Sequence, residues 1–195
     1  MTDMTETSAP NTPIWDPLVR VFHWALFVCV VGAWLLGEFG PSIMTLHFWL
    51  GYAIGGLLVV RLLWGLIGPK TARFANFVTG PGPVLRYALT LFSRKPSHTH
   101  GHNPMGGWSV VVMLAVLALQ VGSGLFSASF DDFVFGPFSD LVSEDVSGWM
   151  LDLHKFLAPV ILVLVALHVG AIGFYKVWKR EDLVTPMITG RRPRS

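Results

Sequence analysis

The stretch LHKFLAPVILVLVALHVGAI, residues 153–172, decides the fold of this chain. His154 and His168 are fourteen residues apart, close to four helical turns, so both imidazoles lie on nearly the same helix face, about 21 Å apart along the axis. No charged residue occurs between Phe156 and Tyr175. An ionisable side chain inside an apolar helix of membrane-spanning length must find a polar partner and is a functional candidate by default.

The composition is that of an integral membrane protein. Of the 195 residues, 52% are hydrophobic and 13% are charged, and the mean hydropathy is +0.56. These values are far from those of a soluble domain. Cys29 is the only cysteine, which excludes an internal disulfide, a CxxC zinc site and a CxxCH haem attachment. Any haem would therefore be held non-covalently, and no motif indicates nucleic-acid binding.

Four segments are long enough to cross a bilayer as helices, which predicts an all-α membrane protein folded as a four-helix transmembrane bundle. The predicted spans are residues 18–37, 43–67, 104–126 and 149–178. Asn103 and Pro104 are typical of the capped start of a helix. Three parts are expected: a disordered cytoplasmic tail over residues 1–17, the four-helix bundle over residues 18–180 and a basic cytoplasmic tail over residues 181–195.

The positive charges are distributed unevenly between the connections. Five Lys and Arg residues lie between spans two and three, and six lie from Lys176, in the last turn of span four, to the C-terminal end. The loop from Ser127 to Gly148 has five acidic residues and no Lys or Arg. The positive-inside rule therefore predicts that both termini lie in the cytoplasm. The acidic loop would then face outward from a bacterial inner membrane.

This topology pairs the histidines of the spans by depth. His23 lies in the first part of span one, near the inner face, and His47 lies in the first part of span two, near the outer face. His154 lies near the outer face in span four, with His168 about 21 Å deeper. The expected pairs are therefore His47 with His154 and His23 with His168. Facing helices of a bundle can supply two axial imidazoles to a haem, so the sequence predicts two bis-imidazole haem sites suited to one-electron transfer.

Alternative roles remain open for individual polar residues. A lone membrane histidine is often a hydrogen-bonded structural group, and zinc would usually bring cysteine or carboxylate ligands, which do not accompany these histidines within the spans. Span three has no histidine, and its Gln120 and Ser123 are expected to bond between helices. His98, His100 and His102 form an HxHxH run, which predicts a flexible polar loop, with adventitious metal binding as the alternative.

Arg61 lies fourteen residues after His47, on the same face and at the expected depth of the inner pair. It could bind a haem propionate or snorkel to the cytoplasmic interface. Gly37 stands on the His23 face at the outer depth, where a missing side chain would admit a macrocycle. Three glycines of span two leave similar room or form a helix-packing motif, namely Gly51, Gly55 and Gly56.

The chain resembles the bacterial cytochrome b561 family, including the b-type cytochrome subunits associated with nickel-iron hydrogenases. The supporting stretches are WDPLVRVFHW (15–24), LHFWLGYAIGGLLVVRLLWGLIGP (46–69), GHNPMGGW (101–108), LHKFLAPVILVLVALHVGAI (153–172) and EDLVTPMITGRR (181–192). The resemblance implies two haem b groups per chain. Four histidines stand where the ligands of the family stand, namely His23, His47, His154 and His168.

The resemblance also implies electron transfer between the quinone pool and a periplasmic or membrane redox partner, such as a c-type cytochrome or a dehydrogenase. Hydrogenase-associated members usually have an additional span or longer extensions, which the four predicted spans do not match. An electron-transfer protein is expected rather than a stand-alone enzyme, and it could pair with a second copy of itself.

Two other functions remain open. A superoxide:ubiquinone oxidoreductase could use the same scaffold, but a cationic approach would favour the superoxide anion, and Lys155 is the only base near the acidic outer loop. A haem-free metal permease or structural membrane protein would show no haem spectrum.

Overall fold

The computed structural model describes residues 14–40, 44–94 and 101–191. Within these residues, four helices of 23, 24, 23 and 35 residues are long and apolar enough to cross a membrane. The helices in chain order are α1 (Pro17–Phe39), α2 (Met44–Ile67), α3 (Phe74–Phe77), α4 (Pro81–Leu89), α5 (Pro104–Phe126), α6 (Glu144–Trp178) and α7 (Val184–Thr189). The four spans are α1, α2, α5 and α6.

Side-chain caps fix the start of three spans. Asp16 Oδ1 accepts a hydrogen bond from the Val19 N–H at 3.1 Å, and Asn103 Oδ1 accepts one from the Gly106 N–H at 2.8 Å. Ser143 caps α6 in the same way, so this helix begins at Glu144, five residues before the predicted start at 149. The sequence-based boundary was late because the first turns of α6 are polar and fell below the apolar pattern.

The spans pack as two helix pairs. Helix α1 contacts α2, α5 contacts α6, and contacts between α2 and α5 join the two pairs. A small apolar core lies between them, made of Phe22, Ala33, Ile54, Leu58, Leu114, Leu117 and Ile161. Many large apolar side chains of the spans face outward, including Val28 (64% exposed) and Leu167 (65% exposed). An outward apolar surface of this kind suits lipid, and the predicted four-helix transmembrane bundle is confirmed.

One end of the bundle, here called the terminal end, brings together the first and the last residues that the structure describes. The Ile14 N–H donates to the Gly190 carbonyl at 2.8 Å, and Trp15 is buried against the bundle. Gly190 closes α7 with a φ of 82°, a left-handed conformation that glycine adopts without strain. Residues 14–16 of the predicted N-terminal tail and residues 184–190 of the predicted C-terminal tail therefore pack on the helical domain, while residues 1–13 lie outside the described residues.

The opposite end, here called the hairpin end, holds most of the acidic loop. Strand β1 (Ala128–Ser129) pairs antiparallel with strand β2 (Val134–Phe135), and a 3₁₀ turn (Ser139–Leu141) leads into α6. The Gly136 N–H donates to the Ser127 carbonyl at 2.8 Å, and the Phe138 N–H donates to the Leu125 carbonyl at 2.9 Å. These bonds fold the loop back over the end of α5 as a compact cap.

Candidate functional site

The structure brings the four candidate histidines of the spans together as two pairs of neighbouring rings, one pair T-shaped and the other tilted. His47 of α2 and His154 of α6 have ring centroids 6.0 Å apart at the hairpin end; we call them the hairpin-side pair. His23 of α1 and His168 of α6 have ring centroids 6.2 Å apart toward the terminal end; we call them the terminal-side pair. These are the two pairs that the depth argument predicts.

Backbone carbonyls hold both rings of the hairpin-side pair. His47 Nδ1 lies 2.8 Å from the Ala33 carbonyl oxygen, and His154 Nδ1 lies 2.9 Å from the Gln120 carbonyl oxygen. A carbonyl oxygen only accepts, so Nδ1 carries the proton in each ring and Nε2 keeps its lone pair. This is the tautomer that a metal-binding histidine uses when its other nitrogen is fixed by a carbonyl.

Two side chains of α5 also contact the hairpin-side pair. The Gln120 amide nitrogen lies 3.2 Å from His154 Nε2, and Ser123 Oγ lies 3.4 Å from His154 Nδ1. Ser123 Oγ also donates to the Gln120 carbonyl at 3.0 Å. The histidine-free span thus makes the expected interhelical bonds, and it makes them to a candidate ligand.

Two glycines allow the backbone to approach the hairpin-side imidazoles. A Cβ at Gly124 would lie 2.8 Å from His154 Cε1, and a Cβ at Gly37 would lie 3.2 Å from His47 Cε1. Gly37 was expected to leave room for a macrocycle, but the His47 ring itself occupies that room. The sequence pattern did not single out Gly124, because the contact depends on how α5 packs against α6.

The three glycines of span two have different surroundings in the structure. A Cβ at Gly55 would lie 3.4 Å from Val121 of α5, whereas Cβ atoms at Gly51 and Gly56 would meet nothing within 4 Å. Gly55 therefore serves helix packing. Gly51 and Gly56 border open space.

The terminal-side pair has a different surrounding. His23 Nδ1 is buried and has no hydrogen-bond partner, although its ring packs edge-on against Trp24 at 5.1 Å. Arg20, one turn before His23, also has a buried Nε without a partner. Buried polar groups in proteins are normally hydrogen-bonded, so these two nitrogens mark a place where a further polar group would be stabilised.

Arg61 is buried near the terminal end of α2. Its side chain is 3% exposed, and its guanidinium carbon lies 4.7 Å from the centre of the Phe74 ring. Snorkelling to solvent does not describe this position. Its Nη1 is buried and has no hydrogen-bond partner, so the guanidinium retains an unused donor.

His102 is a residue whose place the sequence analysis missed. Its ring packs against Trp15 at 4.7 Å and against Phe77 at 4.6 Å. The prediction of a flexible loop is therefore wrong for His102, while His98 and His100 lie outside the described residues. The sequence did contain one indication: His102 directly precedes Asn103, the predicted helix cap, and the neighbour of a cap residue has an ordered backbone.

The spacing within each pair fits a metal ion between two imidazoles. With a metal–nitrogen distance of about 2 Å and a ring nitrogen about 1.1 Å from the ring centre, two axial imidazoles would have centroids about 6 Å apart. The centroid separations of 6.0 Å and 6.2 Å agree with that value. Each ring separation therefore leaves room for one metal ion between two imidazoles, and these four histidines are the residues that would hold the iron of a bis-imidazole haem.

Comparison with known proteins identifies the family. The family model for prokaryotic cytochrome b561 matches residues 14–190. The probable Ni/Fe-hydrogenase 1 B-type cytochrome subunit of Escherichia coli K12 is 22% identical, over 92% of this chain and 89% of the relative. The probable Ni/Fe-hydrogenase B-type cytochrome subunit of Rhizobium leguminosarum bv. viciae is 23% identical, over 92% and 87%.

The corresponding subunit of Cupriavidus necator is 25% identical, over 95% of this chain and 88% of the relative. No solved structure matches the chain. The family match covers nearly the whole helical domain, including all four spans and both histidine pairs. The chain therefore belongs to the prokaryotic cytochrome b561 family and is a multi-pass bacterial membrane cytochrome of the electron-transporting b type.

Proposed function

We propose that this cytochrome binds two haem b groups, one at each histidine pair, and carries electrons across the bacterial inner membrane between the quinone pool and a redox partner. His47 and His154 would hold one haem, and His23 and His168 the other. The observation that carries the proposal is the repeated ring separation, 6.0 Å in one pair and 6.2 Å in the other. Reversible one-electron transfer is the chemistry that a haem with both axial positions filled supplies when bound.

The protein's own residues prepare the two pairs for this role. The carbonyls of Ala33 and Gln120 orient the hairpin-side imidazoles, which lowers the cost of ordering them when a metal binds. The buried guanidinium of Arg61, with an unused donor on Nη1, offers a partner of opposite charge to a haem carboxylate at the terminal side. An unpaired buried charge is otherwise costly.

We further propose that the hairpin end faces the periplasm and that both termini face the cytoplasm. This orientation rests on the positive-inside rule and on the acidic residues of the hairpin end. Asp131, Asp132 and Asp140 are exposed there. Acidic exposed groups favour a partner with a basic docking surface and disfavour attraction of the superoxide anion.

A nickel-iron hydrogenase is the partner class that we propose first. The curated relatives are named as hydrogenase cytochrome subunits, and the matches cover 87–89% of three of them. The four spans of this chain thus match most of the length of each of these relatives, and their number supports rather than excludes such a partner. A c-type cytochrome or another dehydrogenase would use the same face of the bundle.

The test is a haem count on purified full-length protein. We expect a dithionite-reduced minus oxidised spectrum of a b-type cytochrome, and two haem b per chain by the pyridine haemochrome method. One haem per chain would contradict the paired arrangement, and none in unstripped protein would overturn the proposal. Electron transfer is then tested in liposomes that contain a menaquinol or ubiquinol pool, by whether quinol reduces the bound haems.

A further inference from the structure

The described residues include two buried ring or guanidinium nitrogens without partners, and both belong to side chains that lie near one aromatic ring, that of Phe77. Phe77 packs against the His102 ring at 4.6 Å, and the guanidinium carbon of Arg61 lies 6.0 Å from the centre of the same Phe77 ring. The buried atoms are Nδ1 of His102 and Nη1 of Arg61, and neither has a hydrogen-bond partner. Because buried polar groups are normally hydrogen-bonded, two unpaired nitrogens beside the same ring indicate a place where an acceptor would be stabilised.

Both side chains are fixed in position. The His102 ring is held between Trp15 and Phe77, and its neighbour Asn103 is anchored by the cap of α5 and by a 2.9 Å bond from its amide nitrogen to Tyr175 Oη. The Arg61 guanidinium lies over Phe74. Fixed donors bind an acceptor with little loss of side-chain entropy, as expected of a prepared site.

The histidine lies within electrostatic reach of the terminal-side pair. Burial, together with the nearby charges of Arg61 and His168, lowers the pKa of His102 to about 4. The imidazole is therefore neutral at neutral pH, when one ring nitrogen donates and the other accepts. The charge of Asp16 acts on Arg61 through space, but no carboxylate of the described residues bonds to Nη1 of Arg61. Asp16 Oδ1 accepts from the Val19 N–H and the Trp64 indole, and Asp16 Oδ2 has no partner.

We propose that His102 and Arg61 together form a carboxylate-binding site that holds a propionate of the haem bound between His23 and His168. The inference rests on the proposed function, since it needs a haem at the terminal-side pair. A propionate would accept from the Nδ1–H of His102 and from the guanidinium of Arg61, and it would neutralise the buried charge. In this proposal His102 binds a carboxylate through its ring N–H, and the other two histidines of the HxHxH run are not involved.

The test uses full-length protein that carries haem labelled with ¹³C in both propionate carboxyl groups, obtained by feeding labelled 5-aminolevulinate to the host. The readout is the labelled carboxylate bands in the reduced minus oxidised infrared difference spectrum. We expect His102→Phe, which keeps an aromatic ring but removes the donor, to shift a labelled band. His102→Gln, which keeps an N–H donor, should leave that band close to its original position.

Haem retention gives a second readout of the same contact. We expect His102→Phe to release one of the two haems to apomyoglobin about tenfold faster, because a hydrogen bond to a charged group is lost, while the other haem is released at the wild-type rate. In a His47→Ala background, which should keep only the terminal-side haem, the effect should persist. In a His23→Ala background it should vanish.

The outcomes separate this inference from the proposed function. Two haems per chain with unchanged labelled bands and unchanged release in His102→Phe would overturn the carboxylate-binding site alone. Equal loss of the terminal-side haem in His102→Phe and His102→Gln would also overturn it, because the donor would not matter. Wild-type protein without a haem at the terminal-side pair would overturn the proposed function and this inference with it.

Discussion

The two histidine pairs have nearly the same ring separation but opposite surroundings. At the hairpin-side pair, both Nδ1 atoms are satisfied by the carbonyls of Ala33 and Gln120. At the terminal-side pair, His23 Nδ1 has no partner, and Arg20 and Arg61 also present buried nitrogens without partners. The imidazoles of the hairpin-side site are therefore held by protein carbonyls, and the buried atom left without a partner beside them is an acceptor, Gln120 Oε1. The terminal-side site instead has unused donors that a bound anionic group would satisfy.

This difference bears on the electronic properties of the two sites. A carbonyl that accepts from Nδ1 makes the imidazole a stronger electron donor, which favours the oxidised metal. Nearby cations favour the reduced metal, because they stabilise the added electron. We therefore expect a higher midpoint potential at the terminal-side pair than at the hairpin-side pair, and directional electron transfer would follow that gradient.

The largest effect, a loss of haem from the hairpin-side pair, is expected when a side chain is added at Gly124 against His154. Gly124→Val places side-chain atoms where His154 Cε1 lies, 2.8 Å from the position of a Cβ, and overpacking of this kind costs about 1–3 kcal/mol. We expect the hairpin-side haem to be lost or held at least tenfold more weakly. Haem per chain by pyridine haemochrome checks this.

Gly148→Val is the matched control, since a Cβ there meets nothing within 4 Å, and it should retain both haems. If Gly124→Val retained both haems with an unchanged spectrum, the close approach of α5 to His154 would not describe the loaded protein.

A smaller effect is expected on the potential of the terminal-side haem. Arg61→Met removes a buried cation, so we expect the higher of the two midpoint potentials to fall by tens of millivolts while the lower one stays constant. A spectroscopic redox titration measures both. Arg61→Lys keeps the charge and should shift the potential less, and a change in the lower potential instead would reverse the assignment of the two sites.

The next effect concerns the side chain of Gln120, which occupies the nitrogen of His154 that would bind the metal. The Gln120 amide donates to His154 Nε2 at 3.2 Å, and a hydrogen bond contributes about 0.5–1.5 kcal/mol. We expect Gln120→Leu to release the hairpin-side haem to apomyoglobin up to about tenfold more slowly, with release from the terminal side unchanged. Faster release would mean that Gln120 supports the loaded site.

The smallest effect is expected at the start of α7, where Asp182 accepts hydrogen bonds from Thr185. Hydrogen bonds from the Thr185 hydroxyl and the backbone lower the pKa of Asp182, so its carboxylate stabilises the start of α7 at neutral pH. That stabilisation is lost as the pH falls through the lowered pKa. We expect tryptic cleavage after Arg180 to be a few-fold faster in Thr185→Val at neutral pH. Thr185→Ser keeps the hydroxyl and should match the wild type.

The fold and the pairing of the histidines could be predicted because they depend on short-range patterns. Apolar stretches of membrane-spanning length set the helices, and the alternation of span direction set which histidines share a depth. The connection between α1 and α2 is short in sequence and the one between α5 and α6 is longer, and this difference did not change the pairing.

Other features depended on contacts between elements that no single segment encodes. The proximity of Gly124 to His154 arises from the packing of α5 on α6, and the place of His102 arises from the fold of residues 69–80 beneath the terminal end. The HxHxH pattern predicted a flexible polar run that includes His102. The two ring partners of His102, Trp15 and Phe77, are 87 and 25 residues away in the sequence, so the local pattern could not reveal these contacts. Long-range ring contacts of this kind leave no periodic signal.

The central claim is that the histidines act in the pairs His47–His154 and His23–His168, with one haem b in each pair. The most direct measurement is haem per chain in two double variants. We expect the same-pair variant His47→Ala/His154→Ala to retain one haem, and the cross-pair variant His23→Ala/His154→Ala to retain none. One haem in the cross-pair variant and none in the same-pair variant would contradict the pairing.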